Sequence, residues 1–175
     1  MADIKRKIAG IKAKNNGRAF EARLEAAFEY YRLRGEALIE KTPEPVKQLG
    51  AMDKQGRFLA CYEKRAQPDY KGVYLSTGDY SEDVGACIVF EAKYTSGMKI
   101  PLNRVAPHQL NALLEYEKLG AEAFIIVGFG DGSVARYSAN KWDRYMRDGC
   151  ASFAPDDGFP IPQKGGILKV LEGLV

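Results

Sequence analysis

The chain has one histidine, three cysteines and one tryptophan, and no apolar run approaching the roughly 18 residues that a membrane-spanning helix needs. With His108 alone, the sequence argues against a histidine-rich metal centre, so any metal would be held by oxygen ligands. Cys61, Cys87 and Cys150 are odd in number, widely separated and form no CxxC pair. That spacing disfavours a zinc site or a disulfide framework and predicts reduced, partly buried thiols in a reducing compartment. The start, MADIKRKIAG, is basic but carries no apolar stretch of the kind a signal peptide requires.

What is present is charge, unevenly placed. The net charge of 175 residues is only +3, from 26 Lys and Arg against 23 Asp and Glu. Residues 1–18 hold Lys5, Arg6, Lys7, Lys12, Lys14 and Arg18 against Asp3 alone, a local +5, which leaves the other 157 residues slightly acidic. A basic arm on a near-neutral body suits phosphate contact, and a solvated leader fits as well. Residues 41–66 are also positive, with six basic and three acidic side chains. The length predicts one domain: a flexible arm over 1–18 and a body over 19–175, with 41–66 protruding from it.

Periodicity orders the body. Phe20, Leu24, Ala27, Phe28 and Tyr31 recur at helical spacing over 19–34, with Asn15 or Asn16 as a cap and Gly35 as a stop. A short strand follows at 37–39, then the prolines of Thr42-Pro43-Glu44-Pro45 interrupt regular pairing. Strands are expected at 70–75 and 86–94, joined by the acidic turn Ser76–Gly85. Pro107 opens a second helix that ends at Gly120, 123–129 is a buried strand, 134–137 completes another hairpin, and Ser138 caps a helix over 139–147. The order predicts an α/β fold with a single mixed central sheet flanked by helices.

The chemistry concentrates between Pro68 and Lys93. Side chains alternate along a strand, so Val89, Glu91 and Lys93 share one face while Ile88, Phe90, Ala92 and Tyr94 share the other, which is apolar and faces the core. If Asp69 lies across from Glu91 and Lys93, two carboxylates and an ammonium converge at one edge. Two carboxylates with water make a hard oxygen site suited to Mg²⁺, and a lysine offsets charge on a phosphate under attack. On spacing alone the pattern is loose, and a surface Glu/Lys ion pair accounts for it more simply.

The surrounding blocks add specificity. Gln67-Pro68-Asp69-Tyr70-Lys71-Gly72-Val73-Tyr74, Val89-Phe90-Glu91-Ala92-Lys93, Ile100-Pro101-Leu102 and Pro107-His108-Gln109 resemble, in order and spacing, the RecU family of Holliday junction resolvases. These belong to the PD-(D/E)XK nucleases, whose fold is restriction-endonuclease-like. The resemblance begins at Asn15-Asn16-Gly17 and continues to about Trp142. It implies metal binding by Asp69, Glu91 and Gln109, transition-state stabilisation by Lys93, and an assisting acidic residue at Glu21. It further implies a junction-inserted stalk over 42–66, which includes Lys64 and Arg65, and a DNA-binding arm before Gly17. Gln67 stands where the family commonly has a hydroxyl residue, and the Ser76–Gly85 turn is longer and more acidic than the family's.

The expected activity is a Mg²⁺-dependent endonuclease, with Mn²⁺ able to substitute, that resolves four-way DNA junctions by paired nicks as a cytoplasmic homodimer. A bacterial cell or the host of a virus would house it, and a recombinase is a candidate further partner. Two other readings stay open: a related nuclease acting on other branched or duplex DNA, and a non-catalytic DNA-binding modulator of recombination. His108 is read as a helix-opening residue making local hydrogen bonds, Trp142 and Tyr145 as packing a helix onto the sheet with base stacking as the alternative, and Arg144 and Arg147 as either a solvated face or phosphate contacts.

Overall fold

The computed structural model describes residues 2–43, 46–62, 67–77 and 83–174, with side chains described from Asn15 onward. The first element is longer than the periodicity suggested. Helix α1 runs from Ala2 to Leu33, so the basic segment expected as a flexible arm continues the same helix, and neither Asn15 nor Asn16 starts it. At 32 residues it extends about 48 Å. Its second half buries Phe20, Leu24, Ala27, Phe28 and Tyr31. Gly35, at φ +69°, then takes the left-handed conformation that ends the helix without a Cβ penalty.

Next come β1 (Ala37–Lys41) and a separate two-stranded ribbon, β2 (Val46–Leu49) paired antiparallel to β3 (Leu59–Tyr62). This ribbon occupies the expected protrusion. The chain continues through β4 (Tyr70–Thr77), β5 (Asp83–Tyr94), β6 (Ile100–Pro101), α2 (Pro107–Lys118), β7 (Glu122–Gly128), β8 (Val134–Ser138) and α3 (Ala139–Arg147). Short strands β9 (Ser152–Phe153), β10 (Phe159–Pro160), β11 (Gln163–Lys164) and β12 (Ile167–Leu168) finish it. Both strands of the 70–94 hairpin outrun their expected ends, so only 78–82, outside the described residues, separates them.

The expected central sheet is a mixed six-stranded one, ordered β1-β4-β5-β7-β8-β10. Only β5 and β7 are parallel, because α2 provides the crossover between them. Phe90 pairs with Tyr70 on one side and Phe124 on the other, and the three rings stack at 5.0 and 5.2 Å. That ladder, with Phe28 of α1 edge-on to Tyr70 at 5.2 Å, forms the core beneath the first helix.

The expectation that only one face of β5 is buried is corrected. A second core of Val89, Leu110, Leu113, Ile125, Val127, Trp142 and Phe153 lies on the opposite face under α2 and α3. A crossover helix necessarily lands on the sheet, so a strand flanked by β4 and β7 is covered on both sides. The cysteines need a second correction. Cys61, Cys87 and Cys150 are all exposed, since they fall on the ribbon, on the uncovered part of β5 and in the loop after α3.

Candidate active site

Asp69 directly precedes β4, one step beyond the Tyr70–Phe90 pair, and therefore stands opposite Glu91. Its carbonyl accepts a hydrogen bond from the Thr42 N–H at 2.9 Å, which ties the start of the protrusion to the site. Its Oδ2 accepts the Ala92 N–H at 3.1 Å. Lys93, two residues beyond Glu91 on the same face of β5, places Nζ 2.6 Å from Glu91 Oε2 and 3.5 Å from Asp69 Oδ2. Gln109, in the first turn of α2, donates from Nε2 to the same Glu91 oxygen at 2.6 Å, while its Oε1 accepts the Ala106 N–H at 3.2 Å. Asp69, Glu91, Lys93 and Gln109 thus converge from two neighbouring strand segments and a helix. In this arrangement Gln109 braces Glu91 and caps its own helix, with its oxygen turned to the backbone.

Burial sets the electrostatics. Glu91 is fully buried (0% exposed) and the Lys93 side chain is 15% exposed. Desolvation pushes the Glu91 carboxyl up to about 7; Lys93 opposes the shift and the Asp69 charge reinforces it. Two donors crowd Glu91 Oε2, yet Oε1 is buried with no hydrogen-bond partner. Among the described residues, the other buried side-chain oxygens without a partner are the hydroxyls of Tyr70 and Thr42. One adjoins Asp69 in the chain and the other belongs to the residue bonded to its carbonyl. Buried oxygens are ordinarily satisfied, so the unpartnered Glu91 Oε1 is an acceptor that a group from outside the chain could fill.

This donor set fits a hard divalent cation: two carboxylates, an unpartnered buried oxygen, and a carboxyl that burial makes costly to ionise without a positive neighbour. Among the described residues no three His, Cys, Asp or Glu side chains converge, so the carboxylates available to such a site are those of Asp69 and Glu91.

Glu21 reaches the same region from α1. It lines a cavity of about 540 Å³ with Gly17, Lys93, Ser96 and Arg104. Gly128 makes this approach possible, since a Cβ there would come within 2.7 Å of the Phe20 ring beside Glu21. Sequence reasoning missed Lys41, whose Nζ donates to Glu21 Oε2 at 2.7 Å. Its ammonium is held above the ordinary lysine range chiefly by that bond, with Glu25 and Asp69 adding to it. Its position at the head of the Pro-x-Pro segment was the available signal.

Other expected residues fall elsewhere. Gln67 is exposed, accepts from Lys71 Nζ at 3.0 Å and makes no hydrogen bond to Asp69 or Glu91. Lys5, Arg6, Lys7, Lys12 and Lys14 lie along the first half of α1, followed by the exposed Arg18. Lys64 and Arg65 lie outside the described residues. His108 is exposed. Trp142 is fully buried and donates from Nε1 to the Leu102 carbonyl at 3.1 Å, which removes it from base stacking.

A carboxylate pair bridged by a lysine thus lies at the end of a central strand in the mixed sheet of an α/β protein. Residues 15–145 match the family model described as Recombination protein U, and the chain belongs to the RecU family. It is 32% identical over 164 residues to the Holliday junction resolvase RecU of Bacillus pumilus, covering 87% of this chain and 75% of that protein. Against the protein of the same name from a Geobacillus species it is 36% identical over 121 residues, covering 66% of this chain and 55% of the relative. The chain therefore spans between half and three quarters of the length of such relatives. Among solved structures, the Holliday junction resolvase Hjc of Archaeoglobus fulgidus superposes with a TM-score of 0.46 and 11% identity, over 81% of this chain and 93% of that one.

Proposed function

We propose that this chain is a divalent-metal-dependent, structure-selective endonuclease that nicks four-way DNA junctions. The observation that carries the reading is Lys93: its ammonium lies against both Asp69 and the fully buried Glu91, whose second oxygen has no partner in the fold. Asp69 and Glu91 would hold Mg²⁺, or Mn²⁺ in its place, with Gln109 and Gln67 as the further oxygen candidates. The ion would supply Lewis acidity and charge neutralisation at the phosphate.

The chain's own residues do the rest. Lys93 is positioned by two carboxylates and presents a point charge to the phosphodiester as negative charge develops. Gln109 keeps Glu91 oriented through its 2.6 Å bond, and Glu21, held by Lys41, borders the cavity where a proton would be handled. The burial of Glu91 and Lys93 restricts water and so strengthens each of these interactions.

Lys5, Arg6, Lys7, Lys12, Lys14 and Arg18 on α1, with Lys64 and Arg65 of the protrusion, supply phosphate contacts whose affinity falls with salt. A four-way junction has approximate two-fold symmetry, and a C2 homodimer matches it with two sites. The cytoplasm is the expected setting; among the described residues no helix is long and apolar enough to cross a membrane. A recombinase would be the upstream partner that makes such junctions.

The test uses a synthetic junction. Asp69→Asn and Lys93→Ala should bind it but lose at least about 100-fold in nicking rate. Full cleavage by either variant would remove these residues from the active site, and mapping the nicks reads their symmetry.

A further inference from the structure

The cavity beside Lys93 contains a cation that no site residue accounts for. Arg104 ends the 3₁₀ turn Leu102–Arg104, on the wall of the cavity that Glu21 and Lys93 also line. The other charges there are already matched. Glu21 is paired with Lys41, and Lys93 with Glu91 and Asp69. Among the described residues, no carboxylate or carbonyl accepts a hydrogen bond from the Arg104 guanidinium. Arg104, itself exposed, is thus the one cation on the cavity lining with no partner of its own among the described residues, and it lies beside the group expected to meet a phosphate.

The turn that carries Arg104 is fixed from several directions. Leu102 and Val105, on either side, are buried to 2% and 0% exposure. The Leu102 carbonyl accepts both the Trp142 indole N–H at 3.1 Å and the Val105 N–H at 3.3 Å, and the Leu102 N–H donates to the Ala151 carbonyl at 3.0 Å. Ser96, which also lines the cavity, rests on Gly130, where any Cβ would meet the Ser96 carbonyl at 2.0 Å. The guanidinium therefore projects from an anchored backbone, and the exposed Ser96 is a further polar residue of the lining.

We propose that Arg104 is a phosphate-contact residue, gripping a nonbridging oxygen pair of the DNA backbone beside the phosphate that Lys93 faces. A planar guanidinium suits this role, because its N–H groups match two phosphate oxygens at once. The contact sets the strand's register in the cavity. It deepens, and rests on, the reading of this site as a nuclease.

The experiment compares full-length wild type, Arg104→Ala, Arg104→Lys and Arg34→Ala. Junction binding is measured in EDTA across a salt series, and nicking is measured in Mg²⁺. Arg104→Ala should weaken binding about tenfold near physiological salt and reduce the slope of log K against log salt by about one. It should raise KM more than it lowers kcat. Arg104→Lys should keep the slope while recovering only part of the affinity, since it retains charge and loses the fork. Arg34, paired with Glu36 at the far end of α1, should leave the slope unchanged on substitution.

A wild-type slope and affinity in Arg104→Ala overturns the proposal, as does an equal loss in Arg34→Ala. Should Arg104→Ala unfold, Arg104→Lys decides the matter: full affinity and KM there would overturn bidentate contact. Failure of the nuclease reading looks different. Wild type would nick no DNA, yet the Arg104 slope change in EDTA would persist.

Discussion

The sheet-anchored site and the β2–β3 ribbon are built on opposite physical terms. Around Glu91 both faces of the strand are packed, by Phe28, Phe90 and Phe124 beneath α1 and by Val89, Leu110 and Ile125 under α2. In the ribbon, β2 is exposed along its whole length, and Phe58 and Leu59 are also exposed. An isolated two-stranded ribbon has little stability of its own. Chemistry that needs a lysine within 2.6 Å of a buried carboxylate sits where packing fixes side chains. The ribbon has no comparable packing to fix its side chains. The Thr42 N–H bond to the Asp69 carbonyl joins the two regions at one point.

The largest expected effect separates the regions by stability. Phe90→Ala should cost about 3–5 kcal/mol, because the ring stacks between two others with no exposure. Leu59→Ala in the ribbon should stay within about 0.5 kcal/mol. Urea unfolding checks both, and equal losses would break the comparison.

A smaller effect lies in pH. The folded-state pKa of Glu91, about 7, exceeds its ordinary value of 4.5. Between those values the folded protein keeps a proton that the unfolded chain has released. In EDTA, stability should therefore fall as pH rises through this window, by about 1 kcal/mol per unit, and level off above it. Glu91→Gln should flatten that dependence and melt above wild type at pH 8, while losing nicking. A wild-type melting temperature that is level from pH 5 to 7 would contradict the burial argument.

A small effect on stability should also come from replacing 46–62 with a short Gly-Ser linker: under about 1 kcal/mol, since the segment carries no core. Junction affinity should fall sharply in the same variant. Amide exchange sharpens the contrast without substitution. The β2 and β3 amides should exchange through local opening, whereas those of Phe90 and Ile126 should require global unfolding.

Much of this was legible in the residues. The apolar spacing in 20–31 marks the buried half of α1, and the blocks around Asp69 and Glu91 carry the site in their order. Lys41 was only partly legible: it heads the proline-rich segment, but nothing local indicates that it reaches back to a helix twenty positions earlier. Arg104 was equally silent, since its significance is the lack of a partner in a cavity assembled from distant segments. That the basic arm is helical was not legible, because charge placement reports polarity and leaves backbone conformation open.

The sequence by itself determined the order of the main elements and the mixed sheet, because local periodicity is a property of the chain alone, while the carboxylate pair and lysine stood out only through the resemblance of the blocks around them. Only the tertiary structure decided that Glu91 lies fully buried with one oxygen satisfied twice and the other not at all. That outcome depends on α2 crossing over β5 and delivering Gln109 to it. Burial, and the pKa it shifts, arise from what neighbouring segments exclude, which strand alternation cannot encode.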